Sequence, residues 1–462
     1  MICNTAIILA AGAGIRMKSR VPKVLHQVCG RTMLEQVIRQ VKLCGIKDVI
    51  VVVGHGSEEV MAACASMDVK FALQKEQLGT GHAVMQAADF IPDEGDVLIL
   101  CGDTPLISSQ TLLDFTRAHN QSQNDGTVLT ADLEAPFGYG RIVKNDMGDL
   151  KKIVEQKDAS DVEKIISEIN SGVFCFKADL LKANLARLNT NNAQGEYYIT
   201  DVISLAASEG KRAGIYKIKD ADEIMGINNR IQLALAEQIM QRRIIEKLML
   251  AGVTFIDKES TYIEDAVEVG MDTIVYPGAS LKGTTRIGES CIIGQNSRIE
   301  DSIVGAFVEI QSSVIIKSSV GDQSTVGPFA YLRPGSQLGR HVKIGDFVEV
   351  KNASIGNYSK ASHLSYIGDA EVGSHVNIGC GVVFVNYDGK KKYRSIILSG
   401  AFIGSNSNVV APVTVGENAY IAAGTTVTRD VPGGALCLGR VKEKHISGWV
   451  ARKKLLKNQK ED

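Results

Sequence analysis

The chain has 462 residues, 45% of them hydrophobic and 22% charged, with 51 basic and 52 acidic side chains and a formal charge of −1. That balance excludes a generally cationic nucleic-acid binder and a disordered chain, and at ~150 residues per domain the length asks for two or three domains. No apolar run approaches the ~18 residues that span a bilayer, so no membrane partner is expected.

Met1–Ala11 is apolar but lacks a basic flank and runs into a glycine-rich turn, so it reads as a buried strand and not as a signal peptide. Ala6–Ala10, Val49–Val53, Val97–Cys101 and Gly172–Phe176 read as buried strands, with Met33–Cys44 a helix between them. This alternation predicts a doubly wound, Rossmann-like α/β domain with a mainly parallel sheet over residues 1–230. Ligands on such sheets sit at the carboxyl ends of the strands, which singles out the turns after Leu9 and Leu100. Ile231, Leu235, Ile239 and Leu248 recur at helical spacing and predict a helix from Arg230 to Ala251, capped by Asn229 and followed by Gly252. At 1.5 Å per residue it would reach roughly 30 Å, a rod linking two domains over residues 231–251.

Residues 252–462 follow a six-residue grammar. An aliphatic residue precedes glycine at Ile287, Ile293, Val304, Val320, Val326, Leu338, Ile344, Ile355, Ile367, Val372, Ile378, Ile403 and Val415. One inward aliphatic per hexad, with Gly, Asn or Ser at tight corners, predicts a left-handed parallel β-helix with three short strands per coil. The period breaks between Gly379 and Ile403, where Val385–Arg394 reads as a loop thrown out from the coil. The tail from Val441 to Asp462 is basic and reads as a solvated arm.

The nine cysteines (Cys3, Cys29, Cys44, Cys64, Cys101, Cys175, Cys291, Cys380, Cys437) form no CxxC and no zinc-ligand spacing. Scattered single thiols suit a reducing cytoplasm. After the first strand, Leu9-Ala10-Ala11-Gly12-Ala13-Gly14-Ile15-Arg16 leads to Pro22-Lys23. Small residues let main-chain N–H groups approach a phosphate, and Arg16 and Lys23 supply positive charge. The spacing is neither a Walker A loop nor the dinucleotide fingerprint.

Further pieces follow in order: Gln74 with Leu78-Gly79-Thr80-Gly81-His82-Ala83, Gly102-Asp103-Thr104-Pro105-Leu106, Gly138-Tyr139-Gly140-Arg141-Ile142, Ile153-Val154-Glu155, Asn170-Ser171-Gly172 and Gly195-Glu196-Tyr197-Tyr198-Ile199-Thr200-Asp201. Ahead of a hexapeptide β-helix, this set resembles the bacterial family of bifunctional UDP-N-acetylglucosamine pyrophosphorylases and glucosamine-1-phosphate N-acetyltransferases, over nearly the whole chain. The resemblance implies acetylation of glucosamine-1-phosphate by acetyl-CoA, then UMP transfer from UTP to the product in cell-wall precursor synthesis. It implies Leu9, Ala10, Ala11, Gly12, Arg16, Lys23, Gln74, Gly79, Thr80, Cys101 and Gly102 around the nucleotide, Asp103 and Asn228 as Mg²⁺ ligands, and Gly140, Glu155 and Asn170 on the sugar. It makes His363 the general base of acetyl transfer, a role that the imidazole reference pKa of ~6.5 suits. Arg333, Lys351, Tyr366, Asn377 and Lys392 fall to the amino-sugar phosphate, and Cys380, Asn386, Tyr387, Ser405, Ala423 and Arg440 to acetyl-CoA. A homotrimer of β-helices is implied as well.

Ala13 and Ile15 depart from the family's loop, where a basic residue and a threonine are common, and Cys101 stands where tyrosine is common. Cys380 stands where alanine is usual. Plainer readings exist for single residues: Asp103 as a helix cap before Ser108, Lys23 as a solvated charge, Asn170 and Asn228 as turn residues. Two rival functions remain at this level. One is a single-function sugar nucleotidyltransferase with a structural β-helix; the other is a non-catalytic assembly subunit.

Overall fold

In the computed structural model, which describes residues 3–439 and 441–458, the chain divides into two compact units, Met1–Ile244 and Ile245–Asp462. The first is built on a nine-stranded sheet. Its strands are β1 (Thr5–Ala10), β2 (Asp48–Val53), β3 (Lys70–Leu73), β4 (Asp96–Cys101), β5 (Gly126–Asp132), β6 (Arg141–Lys144), β7 (Leu150–Val154), β8 (Glu168–Lys177) and β9 (Ala213–Lys217). They run in the order β9-β5-β8-β4-β1-β2-β3, with β6 joined to β8 and β7. The helices used below are α1 (Met33–Leu43), α2 (Thr80–Gln86), α3 (Ser109–Gln121) and α4 (Arg230–Leu250).

The central strands are aliphatic on both faces because helices cover both. Ile8, Val51, Leu98 and Leu100 pack with Val37 and Val41 of α1. The alternate residues Ile7, Ile50, Val52 and Ile99 pack on the other face with Ala83 and Val84 of α2. Thr32 caps α1 by accepting from the Glu35 N–H, and Ser108 caps α3 by accepting from the Thr111 N–H. Ser108 does the capping, which leaves Asp103 free for other work.

The sheet is more mixed than the sequence pattern implied. β8 runs antiparallel to β4, β5 and β6, whereas β1–β2, β1–β4, β2–β3 and β5–β9 are parallel. An aliphatic run reads the same in both directions, so composition does not carry strand polarity. β8 also carries a register shift against β5 between Asn170 and Phe174, with Gly172 at φ +78°. A bulge of this kind re-aims side chains, here at the sheet's carboxyl edge.

α4 starts as predicted, with the Asn229 carboxamide accepting from the Gln232 N–H, and Gly252 follows it at φ +95°. Its buried face differs from the expected one. Ala236, Ile239, Ile244, Ile245 and Leu248 are buried, while Ile231 is 82% exposed and Leu235 is also exposed. Its amino-terminal part is fastened to the first unit: Glu237 accepts from the Cys29 N–H at 3.0 Å, and Arg243 donates to the Leu106 carbonyl at 2.6 Å. That stretch is part of the first unit and not a free rod.

In the second unit, strands from Thr254–Phe255 to Leu436–Cys437 fall in three parallel sheets of eleven, ten and nine strands. Each hexad aliphatic stacks on the next coil, as Val326 does on Ile344 and Ile378 on Ile403, and all thirteen predicted inward positions are buried. These three parallel sheets agree with the left-handed β-helix expected from the hexads. Val385, expected in the loop, still pairs with Val410 in a strand; after residues 386–394 Ser395 pairs back to Ala370, so the loop begins one residue later than expected. The corners depart from the Gly, Asn and Ser rule. Phe329, His341, Phe347, Tyr358 and His375 also occupy left-handed corners, at φ 55° to 61°. Such backbone costs a side-chain-bearing residue ~1–2 kcal/mol, and stacking between coils offsets part of it. Tyr358 stacks between His341 at 4.6 Å and His375 at 4.9 Å, and Phe329 on Phe347 at 5.5 Å.

Candidate functional site

At the carboxyl edge of β1 and β4, a cavity of about 280 Å³ is lined by Leu9, Ala10, Ala11, Gly12, Lys23, Gln74, Gly79, Thr80, Cys101 and Asp103. These come from five separated stretches of chain, all singled out in the sequence. Gly102 donates to the Leu9 carbonyl at 2.9 Å, which ties the two strand-end turns together. Gly79 needs its missing side chain: at φ +108°, a Cβ would lie 2.6 Å from the Tyr197 carbonyl oxygen. Val24, Gln77, Ala83 and Glu196 also line the cavity and were not assigned to it from sequence. Ala83 and Glu196 lie inside quoted motifs, which was the available signal.

Beside the cavity the Lys23 ammonium donates to the Asp103 carboxylate and, at 2.7 Å, to the Asn228 carboxamide oxygen. Arg16 donates to the same oxygen at 2.8 Å. Two oxygens from distant parts of the chain thus converge on one cation. The Ile227 N–H donates to the Asp103 carbonyl at 3.0 Å and holds the two loops in place. Ala13 and Ile15 are exposed and line no part of this cavity.

Gly140, Glu155 and Asn170 also come together. A Cβ on Gly140 would lie 3.4 Å from both the Asn170 Cβ and a Glu155 carboxylate oxygen, and the Asn170 N–H donates to the Gly140 carbonyl at 2.9 Å. Burial raises the Glu155 carboxyl above its ordinary range; the Thr200 hydroxyl at 3.3 Å opposes this, while Asp158, Asp201 and Glu196 add to it. Cys101 lies between the groups. Burial pushes its thiol up to about 12, with Asp103 and Glu155 contributing and Lys23 opposing. It is a neutral thiol, not a nucleophile. Arg141, quoted within its motif but given no role from sequence, is buried and donates to Gln156, whose oxygen also accepts from Gly138, so the pair shapes the turn that carries Gly140.

In the β-helix, His363 Nδ1 lies 2.5 Å from the Asp346 carboxylate. The hydrogen bond to His363 is the largest cause holding Asp346 below the usual carboxylate range. Asp346 pairs with His363 in register on adjacent coils, so counting back one coil from His363 was the signal that would have found it. On the neighbouring sheet Arg333 donates to Glu349 at 2.8 Å, and Lys351 lies close enough to Lys392 to lower the Lys392 ammonium. The excursion thus brings Lys392 back to the coil that carries Lys351. The Asn386 carboxamide donates to Tyr366 at 3.3 Å and to Asp369 at 2.5 Å, and Asn352 donates to Asp369 at 2.6 Å. Asp369, also missed, clamps three coils.

Asn377 stands in register between Lys360 and Phe402 on the sheet that carries His363. Tyr387 is exposed, its hydroxyl donating to the Gly389 carbonyl. Cys380, Ser405 and Ala423 follow corresponding strands of one sheet. The Cys380 carbonyl accepts from Asn406 at 2.7 Å, and the Ser405 carbonyl from Gly424 at 2.8 Å. Cys380 is exposed. Arg440 lies outside the described residues.

Residues 6–191 match the MobA-like NTP transferase domain, 262–366 the GMPPB C-terminal domain, and 394–429 the bacterial transferase hexapeptide (six repeats). The bifunctional protein GlmU of Alkaliphilus metalliredigens (strain QYMF) is 57% identical over 97% of this chain and 98% of its own length. That of Clostridioides difficile (strain 630) is 55% identical over 99% and 98%. The chain belongs to the bifunctional GlmU family. It is accordingly a transferase with both nucleotidyltransferase and acyltransferase activities, a UDP-N-acetylglucosamine pyrophosphorylase and glucosamine-1-phosphate N-acetyltransferase. This favours the two-activity reading over a β-helix that is only structural. A putative glucose-1-phosphate thymidylyltransferase from Bacillus anthracis, in complex with a sucrose, overlaps 51% of this chain and 94% of its own at 19% identity and a TM-score of 0.43. Among the described residues no helix is long and apolar enough to cross a membrane.

Proposed function

We propose that residues 1–230 carry uridylyl transfer and residues 252–462 carry acetyl transfer, joined by the helix over 231–251. The observation that supports this best is that each unit has its own charged constellation. One is a small-residue cavity with Asp103 and Asn228 gathered on Lys23; the other is an imidazole paired with a carboxylate.

In the first unit the phosphate of N-acetylglucosamine-1-phosphate attacks the α-phosphorus of UTP and pyrophosphate leaves. The nucleophile is already an anion, so the reaction asks for positioning and charge neutralisation more than for a base. Lys23 and Arg16 supply positive charge, the turn from Leu9 to Gly12 offers main-chain donors, and Gln74, Gly79 and Thr80 hold the uridine. Gly140, Glu155 and Asn170 hold the sugar. Asp103 and Asn228 fit a hard divalent ion, because their two oxygens already share one cationic partner. Mg²⁺ held there would neutralise the triphosphate.

In the second unit the amine of glucosamine-1-phosphate attacks the thioester carbonyl of acetyl-CoA, and the CoA thiolate leaves. Asp346 accepts the Nδ1 proton of His363, which leaves Nε2 to take the proton released by the amine. Arg333, Lys351 and Lys392 face the sugar phosphate, with Tyr366 and Asn377 on the ring. Asn386, Tyr387, Cys380, Ser405, Ala423 and Arg440 hold acetyl-CoA. The active form is a homotrimer in the cytoplasm, a setting that suits nine free cysteines.

Paired product assays on the purified chain with Mg²⁺ test the reading. One follows CoA from acetyl-CoA and glucosamine-1-phosphate; the other follows pyrophosphate from UTP and N-acetylglucosamine-1-phosphate. Both products are expected. Pyrophosphate without CoA would reject the roles given to His363 and its neighbours.

A further inference from the structure

Gln74 is 3% exposed and lines the nucleotide cavity, and its carboxamide is held from behind. Its Nε2 donates to the Gly79 carbonyl at 3.2 Å and lies 3.1 Å from His82 Nδ1. A carbonyl oxygen can only accept, so Gly79 fixes which end of the carboxamide faces it. The second amide hydrogen is then left for His82, which requires Nδ1 to carry a lone pair and Nε2 to carry the ring proton. His82 Nε2 lies 3.2 Å from the Gln86 amide nitrogen, which also donates to the His82 carbonyl at 3.4 Å; Gln86 is exposed, so this side chain can swing away and leave the Nε2 proton to solvent. With both amide hydrogens engaged, Gln74 has only its Oε1 to offer the cavity, and among the described residues none hydrogen-bonds that atom.

An acceptor is what the N3–H of uracil needs. Cytosine presents an unprotonated N3 there and would face Oε1 lone pair to lone pair. We infer that His82 is a base-selecting positioning residue: as the Nε2–H tautomer it locks the Gln74 carboxamide with its oxygen toward the pyrimidine, so that UTP is accepted and CTP refused. His82 does not line the nucleotide cavity. It lines a neighbouring one of about 970 Å³, with its ring 6.1 Å from that of Tyr197, so it acts through Gln74 and not on substrate. The inference rests on the reading of this cavity as the uridine site. It adds the reason why an amide, which could turn either way, presents one face. Buried polar groups left unpaired by the wrong ligand are what make such sites selective.

The test is the ratio of kcat/KM for UTP to that for CTP in pyrophosphate release, measured on the full chain. A ratio is independent of the fraction of active protein, and a thermal melt followed by circular dichroism reports whether the first unit of each variant is folded. His82→Leu removes the acceptor and should lower the ratio at least tenfold. His82→Gln offers a carbonyl oxygen in its place and should restore most of the preference. Gln74→Ala separates the two layers. If Gln74→Ala lowers the ratio while His82→Leu slows both nucleotides equally, Gln74 reads the base and the His82 inference is overturned. If Gln74→Ala leaves the ratio unchanged, Gln74 does not read the base at all, and both the inference and that part of the site assignment fall.

Discussion

Two carboxylates show how surroundings, not residue type, set a role. Asp346 is held ionised by its hydrogen bond to His363, whereas Glu155 is pushed the other way by burial and by Asp158, Asp201 and Glu196. Because the folded Glu155 binds its proton more tightly than the unfolded one, its contribution to stability declines as pH rises from the ordinary glutamate range through its raised folded value. Glu155→Gln should therefore raise the melting temperature of the first unit near neutral pH and narrow its gap from the acidic value, as differential scanning calorimetry at several pH values would read. The same change should weaken use of N-acetylglucosamine-1-phosphate. For Asp346, an amide keeps the shape but removes the carboxylate that fixes the imidazole tautomer. Asp346→Asn should lower kcat of acetyl transfer by about 10²-fold or more, with uridylyl transfer unchanged in the same preparation. An equal loss of both activities would argue for a structural role instead. Lys23→Met should cost uridylyl transfer about 10²-fold and leave CoA release intact.

At the scale of elements, the hexad made the β-helix legible because one inward aliphatic per strand is a local rule, and every predicted inward position is buried. The corners were less legible. Phe347 and Tyr358 sit in left-handed backbone that sequence reasoning reserves for Gly or Asn, and only the neighbouring coil shows the stacking partner that makes this tolerable. Gly345 has a local duty. A Cβ there would lie 1.9 Å from the Ser362 carbonyl oxygen, between the strands that carry Asp346 and His363. Gly345→Ala should destabilise the second unit by ~1–3 kcal/mol, the usual cost of overpacking, and reduce acetyl transfer as the two strands part. Chemical denaturation and the two product assays would read these effects. In the first unit, the reversal of β8 was invisible because an aliphatic strand has no polarity in composition. Its bulge was visible only as the Asn170-Ser171-Gly172 motif.

At the scale of the whole molecule, two compact units on one chain predict separable activities. A fragment of residues 1–251 keeps α4, whose Glu237 and Arg243 are fastened to the first unit, and should retain uridylyl transfer while releasing no CoA. Cutting instead after residue 229 removes those fastenings and should lower thermal stability, measurable by circular dichroism. The sequence by itself determined the two folds, because glycine turns, hexads and strand-end motifs are local signals; it set the change-over at a helix over 231–251, most of which the structure gives to the first unit. Tertiary structure alone decided which partners those residues meet. Asn228 joins Asp103 on Lys23 across more than a hundred residues, Asp346 reaches His363 from the coil before, and Lys392 returns to Lys351 through a loop. Such pairings depend on how distant strands align, and no local pattern encodes that alignment.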